Sequence, residues 1–230
     1  MSQAVIIAGG KSTRMRPYTE DRPKAMAEVV GRPIVAHQLD WLRANGVTDV
    51  VISVGYHAEV LRDYLADGTR FGLNVDYAVE PEPLGRGGGL RFAAERLPDR
   101  DAEFFALNGD ILARFDLGAM RDAHRAAGDI ATIALAKYRS SWGVVELEGD
   151  RVTGFTQSPV LPYWINGGVY YADPAFVEML PRVGDHEDST FPMLAREGRL
   201  GGFRIEGYWR GIDTVKDIIE ATAEFGGERP

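Results

Sequence analysis

Residues 8–17 read Ala8-Gly9-Gly10-Lys11-Ser12-Thr13-Arg14-Met15-Arg16-Pro17 and directly follow a continuous apolar run, Ala4-Val5-Ile6-Ile7-Ala8. A strand buried on both faces that opens into a glycine pair lets successive backbone N–H groups converge, which makes a cradle for an anion. The indicated chemistry is phosphate binding, and spacing excludes two kinds of phosphate loop. A dinucleotide fingerprint G-x-G-x-x-G fails because Lys11 follows Gly10 and no third glycine arrives. A P-loop, G-x-x-x-x-G-K-S/T, is met at Gly10-Lys11-Ser12 but would need its first glycine at Val5, inside the strand. With no cysteine in the chain, thiolate nucleophiles, disulfides and cysteine-built metal sites are excluded. His37, His57, His124 and His186 are scattered singly and suggest no site. Lysine is scarce: of 26 basic residues only Lys11, Lys24, Lys137 and Lys216 carry an ammonium, a compact charge that guanidinium does not reproduce.

A scaffold must aim such a loop. The spacing predicts a helix over 33–45, where Val35, Leu39 and Leu42 recur at helical period between Pro33 and Gly46, and a buried strand over 49–54. Residues 58–65 read as a helix, 74–79 as a strand, 88–97 as a helix and 103–107 as a strand. This alternation implies βαβ units and a Rossmann-like, three-layer α/β/α fold on a mixed, mostly parallel sheet. Ligands of such sheets bind beyond the carboxyl ends of the strands, so the loops at 9–23, 80–89 and 108–110 are expected to share one mouth. After Asp129 the pattern changes to short strands at 130–136, 143–147, 152–155, 167–171 and 202–205. Glu148-Gly149-Asp150-Arg151 signals a hairpin, and a closing helix covers 214–225. Without a linker or internal repeat, 1–230 reads as one domain.

At 230 residues, 45% hydrophobic and 26% charged, the chain has a globular composition that excludes disorder, collagen and coiled coil. Its formal charge of −8 disfavours nucleic acid and anionic membrane as partners. No apolar run approaches the roughly 20 residues that span a bilayer. Met1-Ser2-Gln3 lacks a basic leader, so a cytoplasmic protein without a membrane partner is expected.

Ordered motifs over essentially the whole chain resemble those of the sugar-phosphate nucleotidyltransferases. They are the loop Gly9 to Thr19, Pro23-Lys24-Ala25-Met26, Glu80-Pro81-Glu82-Pro83-Leu84-Gly85-Arg86-Gly87-Gly88-Gly89-Leu90, and Leu107-Asn108-Gly109-Asp110. Asn166-Gly167-Gly168-Val169-Tyr170 and Trp209-Arg210-Gly211-Ile212-Asp213-Thr214 complete the set. The resemblance implies a nucleotide-diphospho-sugar transferase fold, residues 1–128 holding the nucleotide and 129–230 the sugar phosphate. Too few residues follow the closing helix for the hexapeptide β-helix domain of some relatives, so a short form is expected, with a homodimer left open.

The implied reaction is attack of a sugar 1-phosphate oxygen on the α-phosphorus of a nucleoside triphosphate, with pyrophosphate leaving. A phosphate monoester is already anionic, so catalysis reduces to positioning and charge neutralisation. The resemblance gives Ala8, Gly9, Gly10, Lys11, Ser12 and Thr13 to the triphosphate, Arg14 to the departing phosphates, and Lys24 to the α-phosphate and sugar phosphate. Asp110 and Asp213 would hold Mg²⁺. Glu80, Pro83, Leu84, Gly85 and Gly88, with Asn108 and Gly109, would line the nucleoside pocket, Arg86 standing where a small threonine is usual. Gln157, Asn166 and Gly167 would contact the sugar. At 157–158 the family's Glu-Lys pair is replaced by Gln157-Ser158, so Lys137, Arg139 or Arg210 must supply the missing charge, Arg210 first. Tyr138, Trp142, Tyr163 and Trp164 read as core rather than as a sugar platform. GTP is favoured, with UTP and CTP open, and a hexose or heptose 1-phosphate is the expected acceptor. Two rivals stay open: a cytidylyltransferase for a non-sugar phosphate such as phosphocholine, and a catalytically silent ligand-binding relative.

Overall fold

The computed structural model describes residues 2–10 and 15–227. In chain order its first half comprises β1 (Ser2–Ile7), β2 (Glu28–Val29), β3 (Arg32–Pro33), α1 (Ile34–Ala44), β4 (Val47–Val54), α2 (Ala58–Leu65), β5 (Asn74–Val79), α3 (Gly85–Ala94), β6 (Phe104–Asn108), β7 (Ile111–Arg114) and α4 (Leu117–Ala127). There follow β8 (Ala131–Arg139), β9 (Gly143–Glu148), β10 (Arg151–Gln157), β11 (Val160–Ala172), α5 (Ala175–Met179), α6 (Thr190–Arg196), β12 (Leu200–Arg204), β13 (Tyr208–Gly211) and α7 (Val215–Gly227).

Seven strands form one sheet in the order β12-β8-β11-β6-β1-β4-β5. β1, β4, β5 and β6 run parallel, whereas β11 is antiparallel to both β6 and β8. Alternation along β1 explains why its apolar run is unbroken. Ala4 and Ile6 face α1, α2 and α4 through Leu39, Leu61 and Met120, while Val5 faces α3, α5 and α6 through Leu90, Phe176 and Phe191. A third cluster joins α7 to the site's frame, with Ala221 and Phe225 packed on Met15, Val29, Leu112 and Ile212.

α3 begins three residues before its expected start, so Gly87, Gly88 and Gly89 are helical rather than a preceding loop. The reason is close packing, since a Cβ on Gly88 would stand 2.5 Å from the Arg182 carbonyl and one on Gly87 2.9 Å from that of Gly184. The hairpin forms as its turn residues require: Arg151 pairs with Glu148, and Gly149 takes a φ of +59°. β9 and β10 pair only with each other. Trp142, Phe155 and Tyr163 are 74%, 67% and 65% exposed and Trp164 40%, which corrects the reading of Trp142, Tyr163 and Trp164 as core.

Candidate functional site

Lys24 lies in a single 3-10 turn after Pro23, with Ala25 and Met26 buried beneath it. Its Nζ donates to Asp110 Oδ2 at 2.8 Å and to Asp213 Oδ1 at 2.8 Å, joining residues 86 and 189 positions apart. The Lys24 side chain is 10% exposed, against 38% for Asp110 and 51% for Asp213, so the carboxylates face the mouth and the ammonium backs them.

Strand register produces this meeting. Asp110 sits in the turn between β6 and β7, and β13 pairs antiparallel with β7 so that Gly211 lies opposite Ile111. The Ile212 N–H then donates to the Asp110 carbonyl at 2.8 Å, which sets Asp213 beside Asp110. Gly109 is required before it, because its N–H bonds the Ile7 carbonyl at 2.8 Å and a Cβ would stand 2.9 Å from that oxygen. Buried Gln38 of α1 closes the turn from beneath, donating to the carbonyls of Asn108 (2.8 Å) and Ile111 (3.0 Å). Sequence reasoning missed Gln38; its signal was a polar residue on the apolar stripe of α1.

Ala8 is fixed by its N–H to the Ser53 carbonyl at 2.8 Å, and no atom of the described residues beyond its chain neighbours lies within 4 Å of the Cβ position at Gly10. Lys11, Ser12, Thr13 and Arg14 lie outside the described residues. Glu80 reaches the base of this loop: its carboxylate accepts from Ser53 Oγ at 2.8 Å and the Leu84 N–H at 3.1 Å. It presses on Gly9 and Gly89, where a Cβ would collide with it. Glu80 thus ties Leu84 to the base of the glycine loop. Gly88 is instead buried under Arg182, and its N–H is spent on the Gly184 carbonyl at 3.2 Å.

Arg86 is committed elsewhere. Its backbone N–H and Nη2 bond the Asp185 carboxylate at 2.8 and 2.9 Å, and Nη1 lies 2.9 Å from Glu187. With Gly184 N–H donating to the Leu84 carbonyl at 2.7 Å, the 184–187 turn clamps the start of α3. Buried His186 completes this knot against the rings of Tyr170 and Phe191, and burial drives its pKa down to about 4. Burial also pushes the Glu187 carboxyl up.

On β11, Asn166 Oδ1 accepts the Gly168 N–H (2.9 Å) and Nδ2 donates to Tyr170 Oη (3.0 Å), leaving one N–H and one lone pair. Trp209 Nε1 donates to the Gly167 carbonyl at 2.7 Å, tying this segment to the strand that delivers Asp213. Gln157 is exposed and bonds only Ser158 Oγ, at 3.3 Å. Arg210 departs from its expected place. It alternates with Trp209 on β13, turns towards α7 and is gripped by Glu224 (2.8 Å to both oxygens) and Glu220, so it does not face Gly167. Lys137 stays exposed on β8, opposite Trp164.

Among the described residues no cluster of three or more His, Asp or Glu could hold a metal by itself, and no helix is long and apolar enough to cross a membrane. Two carboxylates converging on one ammonium leave an excess negative charge and hard oxygen donors, which suit a Mg²⁺ ion shared with substrate phosphates.

The family model for nucleotidyl transferases matches residues 3–226. The chain is 35% identical over 232 residues to a mannose-1-phosphate guanyltransferase of Neurospora crassa, and 35% identical over 231 residues to one of Yarrowia lipolytica. Both alignments cover 97% of this chain and 64% of the relative, so the chain spans about two-thirds of the relatives' length. Among solved structures it is similar in fold to HddC from Yersinia pseudotuberculosis (TM-score 0.78, 24% identity, 98% of this chain and 100% of that one). A UDP-glucose pyrophosphorylase from Acinetobacter baumanii is alike at TM-score 0.77, with 18% identity over 100% of this chain and 95% of that one. With Lys24, Asp110 and Asp213 brought together beside the glycine pair, the chain belongs to the nucleotidyl transferase family.

Proposed function

We propose that this chain transfers a guanylyl group from GTP to a sugar 1-phosphate of hexose or heptose type, releasing pyrophosphate in the cytoplasm. The observation that carries the reading is the convergence of Lys24 on Asp110 and Asp213 beside the glycine loop. Lys24 has three N–H donors and spends two on the carboxylates, leaving the third for a phosphate oxygen. Asp110 and Asp213 would hold Mg²⁺, which supplies neutralisation of phosphate charge when bound. The backbone of Gly9 and Gly10 orients the triphosphate, and Asn166 and Gln157 offer hydrogen bonds to sugar hydroxyls. No general base is needed, because the attacking phosphate oxygen is anionic.

Guanine is supported by the names of the relatives and by Glu80, an acceptor-only carboxylate suited to the adjacent N1–H and 2-amino donors of guanine. Uracil sets its single N–H between two carbonyls and fits such a group poorly. The test is pyrophosphate release with GTP, UTP, CTP and ATP, each against mannose, glucose and heptose 1-phosphates and phosphocholine. Turnover with GTP and a sugar 1-phosphate is expected. Turnover with phosphocholine alone, or none with any pair, overturns the reading.

A further inference from the structure

The acceptor side of the mouth carries more positive charge than one phosphate requires. Leu135, Lys137 and Arg139 alternate on β8 and share a face. β11 is registered so that Asn166 lies opposite Leu135 and Trp164 opposite Lys137, while β12 sets Arg204 beside Leu135. The Arg204 guanidinium accordingly lies 5.2 Å from the centroid of the Trp164 ring. These residues form one strip running from Asn166 through Trp164, Lys137 and Arg204 to Arg139.

None of Lys137, Arg139 and Arg204 makes an ion pair among the described residues, as is also true of Arg62 and Arg70, but the strand register gathers these three on one face beside Trp164. Arg139 bonds only the Ser158 carbonyl, at 3.0 Å. Gln157 and Ser158 beside it add no negative charge. The strip also starts at the reaction centre, because a Cβ on Gly168 would meet the Asn108 amide at 2.8 Å and Asp110 is two residues further on. At about 3.3 Å per residue, Lys137 lies about 7 Å beyond Leu135 along the strand. An acceptor with its phosphate at Lys24 would lay its ring over Asn166 and present its far side to Lys137 and Arg204.

We propose that the acceptor is a sugar 1-phosphate bearing a second anion, a carboxylate on the sugar, held by Lys137 and Arg204 at the edge of Trp164. The proposal rests on the nucleotidyl-transfer reading and names its substrate class. Guanidinium and ammonium groups without carboxylate partners are matched by a carboxylate ligand, to which Arg makes its strong forked bonds. The half-exposed Trp164 ring offers the apolar face of a sugar a surface that neither cation supplies.

The experiment measures kcat/KM with GTP for mannuronic acid 1-phosphate against mannose 1-phosphate, and for glucuronic acid 1-phosphate against glucose 1-phosphate. Preference for the acid by about 30-fold, carried mainly in KM, is the expected result. Lys137→Ala and Arg204→Ala should each cut the acid-to-neutral ratio by about 10-fold. Equal or better use of the neutral sugar overturns the proposal and leaves nucleotidyl transfer standing. A loss that lowers both substrates alike, with the ratio unchanged, also overturns it, since the cations would then serve the phosphate. Turnover of neither sugar class refutes the transfer reading itself, and the proposal with it.

Discussion

The two ends of the mouth are built differently. At the end that holds Lys24, both aspartates are placed by hydrogen bonds to the backbone: β13 on β7, Gly109 on Ile7, and the Gln38 side chain on the turn between β6 and β7. At the other end, β9 and β10 pair only with each other among the described residues, and Trp142, Leu147, Val152 and Phe155 are exposed. Groups that act on a transferring phosphate must be held within a fraction of an ångström, which strands locked by register achieve. A hairpin with little packing tolerates changes of ligand shape and charge. Under the proposed function, reaction type and acceptor choice rest on separate parts of the fold.

The sharpest break of this comparison is at the carboxylates. Asp110→Asn keeps the shape of the turn and removes a charge that the mechanism cannot replace, so kcat should fall by about 10³-fold, roughly 4 kcal/mol. Lys24→Ala should cost about 10²-fold in kcat/KM, and Lys24→Arg should not recover it fully, because a planar fork cannot reach two carboxylates and a phosphate as an ammonium does. Circular dichroism would check that both variants fold. Wild-type rates in either would remove that residue from the chemistry.

Legibility followed the same divide. The strands and helices of the first half carry long apolar runs, and β5 and α2 fall on the residues that the pattern marks. Among the described residues β7 and β13, four residues each, pair only with one another across 94 to 100 positions, and no local pattern announces such a contact. α4 buries only Leu117, Met120 and His124; its signal lies in its ends, Asp116 accepting the Ala119 N–H and Gly128 at φ +70°. Lys24, Asp110 and Asp213 were legible from motif order alone. The partners of Arg86 were not, because Asp185 and Glu187 sit 99 and 101 residues away in a turn without periodicity.

That turn supplies a second break, of middling size. His186 is fully buried, neither ring nitrogen makes a hydrogen bond among the described residues, and the ring faces Arg86, Asp185, Glu187 (Nε2 to carboxylate 3.5 Å), Tyr170 and Phe191. Its pKa of about 4 in the folded chain lies below the 6.5 of an unburied imidazole, so between these values the unfolded chain binds the extra proton. Stability is therefore complete above pH 6.5 and is lost as pH falls towards 4, by ~3 kcal/mol from this group. Glu187, pushed upward by burial, works in the opposite sense, so the measurement is a comparison of denaturant midpoints at pH 7.5 and 4.5 for wild type and His186→Leu. The variant should show a flatter dependence. An unchanged slope would mean that the knot does not exclude water from the ring.

Glycines sharpen the contrast between packed and open backbone. Ala for Gly inside a helix ordinarily stabilises by up to about 1 kcal/mol. At Gly88 the new methyl would stand 2.5 Å from the Arg182 carbonyl, so Gly88→Ala should instead destabilise by about 1–3 kcal/mol. Gly10→Ala, with no atom of the described residues within 4 Å, should leave the melting temperature unchanged. Equal melting temperatures for the two variants would show that the 182–184 turn yields and does not clamp α3.

The smallest effect tests which end Arg210 serves. Alternation on β13 sends Trp209 to Gly167 and Arg210 to α7, where Glu220 and Glu224 take its guanidinium. The Arg210 side chain is 18% exposed, but Glu220 and Glu224 are 41% and 51% exposed, so solvent screens both pairs. Such pairs contribute at most about 1 kcal/mol, and Arg210→Ala should lower the melting temperature by about 2–4 °C. Because α7 is also held by Ala221 and Phe225 in the apolar cluster with Met15 and Ile212, the helix should stay docked and Asp213 in place. Both KM values should then remain within about twofold of wild type, and the melting difference should shrink at 1 M salt, where exposed pairs are screened within about 3 Å. A selective rise in the KM for the acceptor would bring Arg210 back to the sugar phosphate. It would also erase the separation between the two ends, since a residue of the strand that aims Asp213 would then be reading the acceptor.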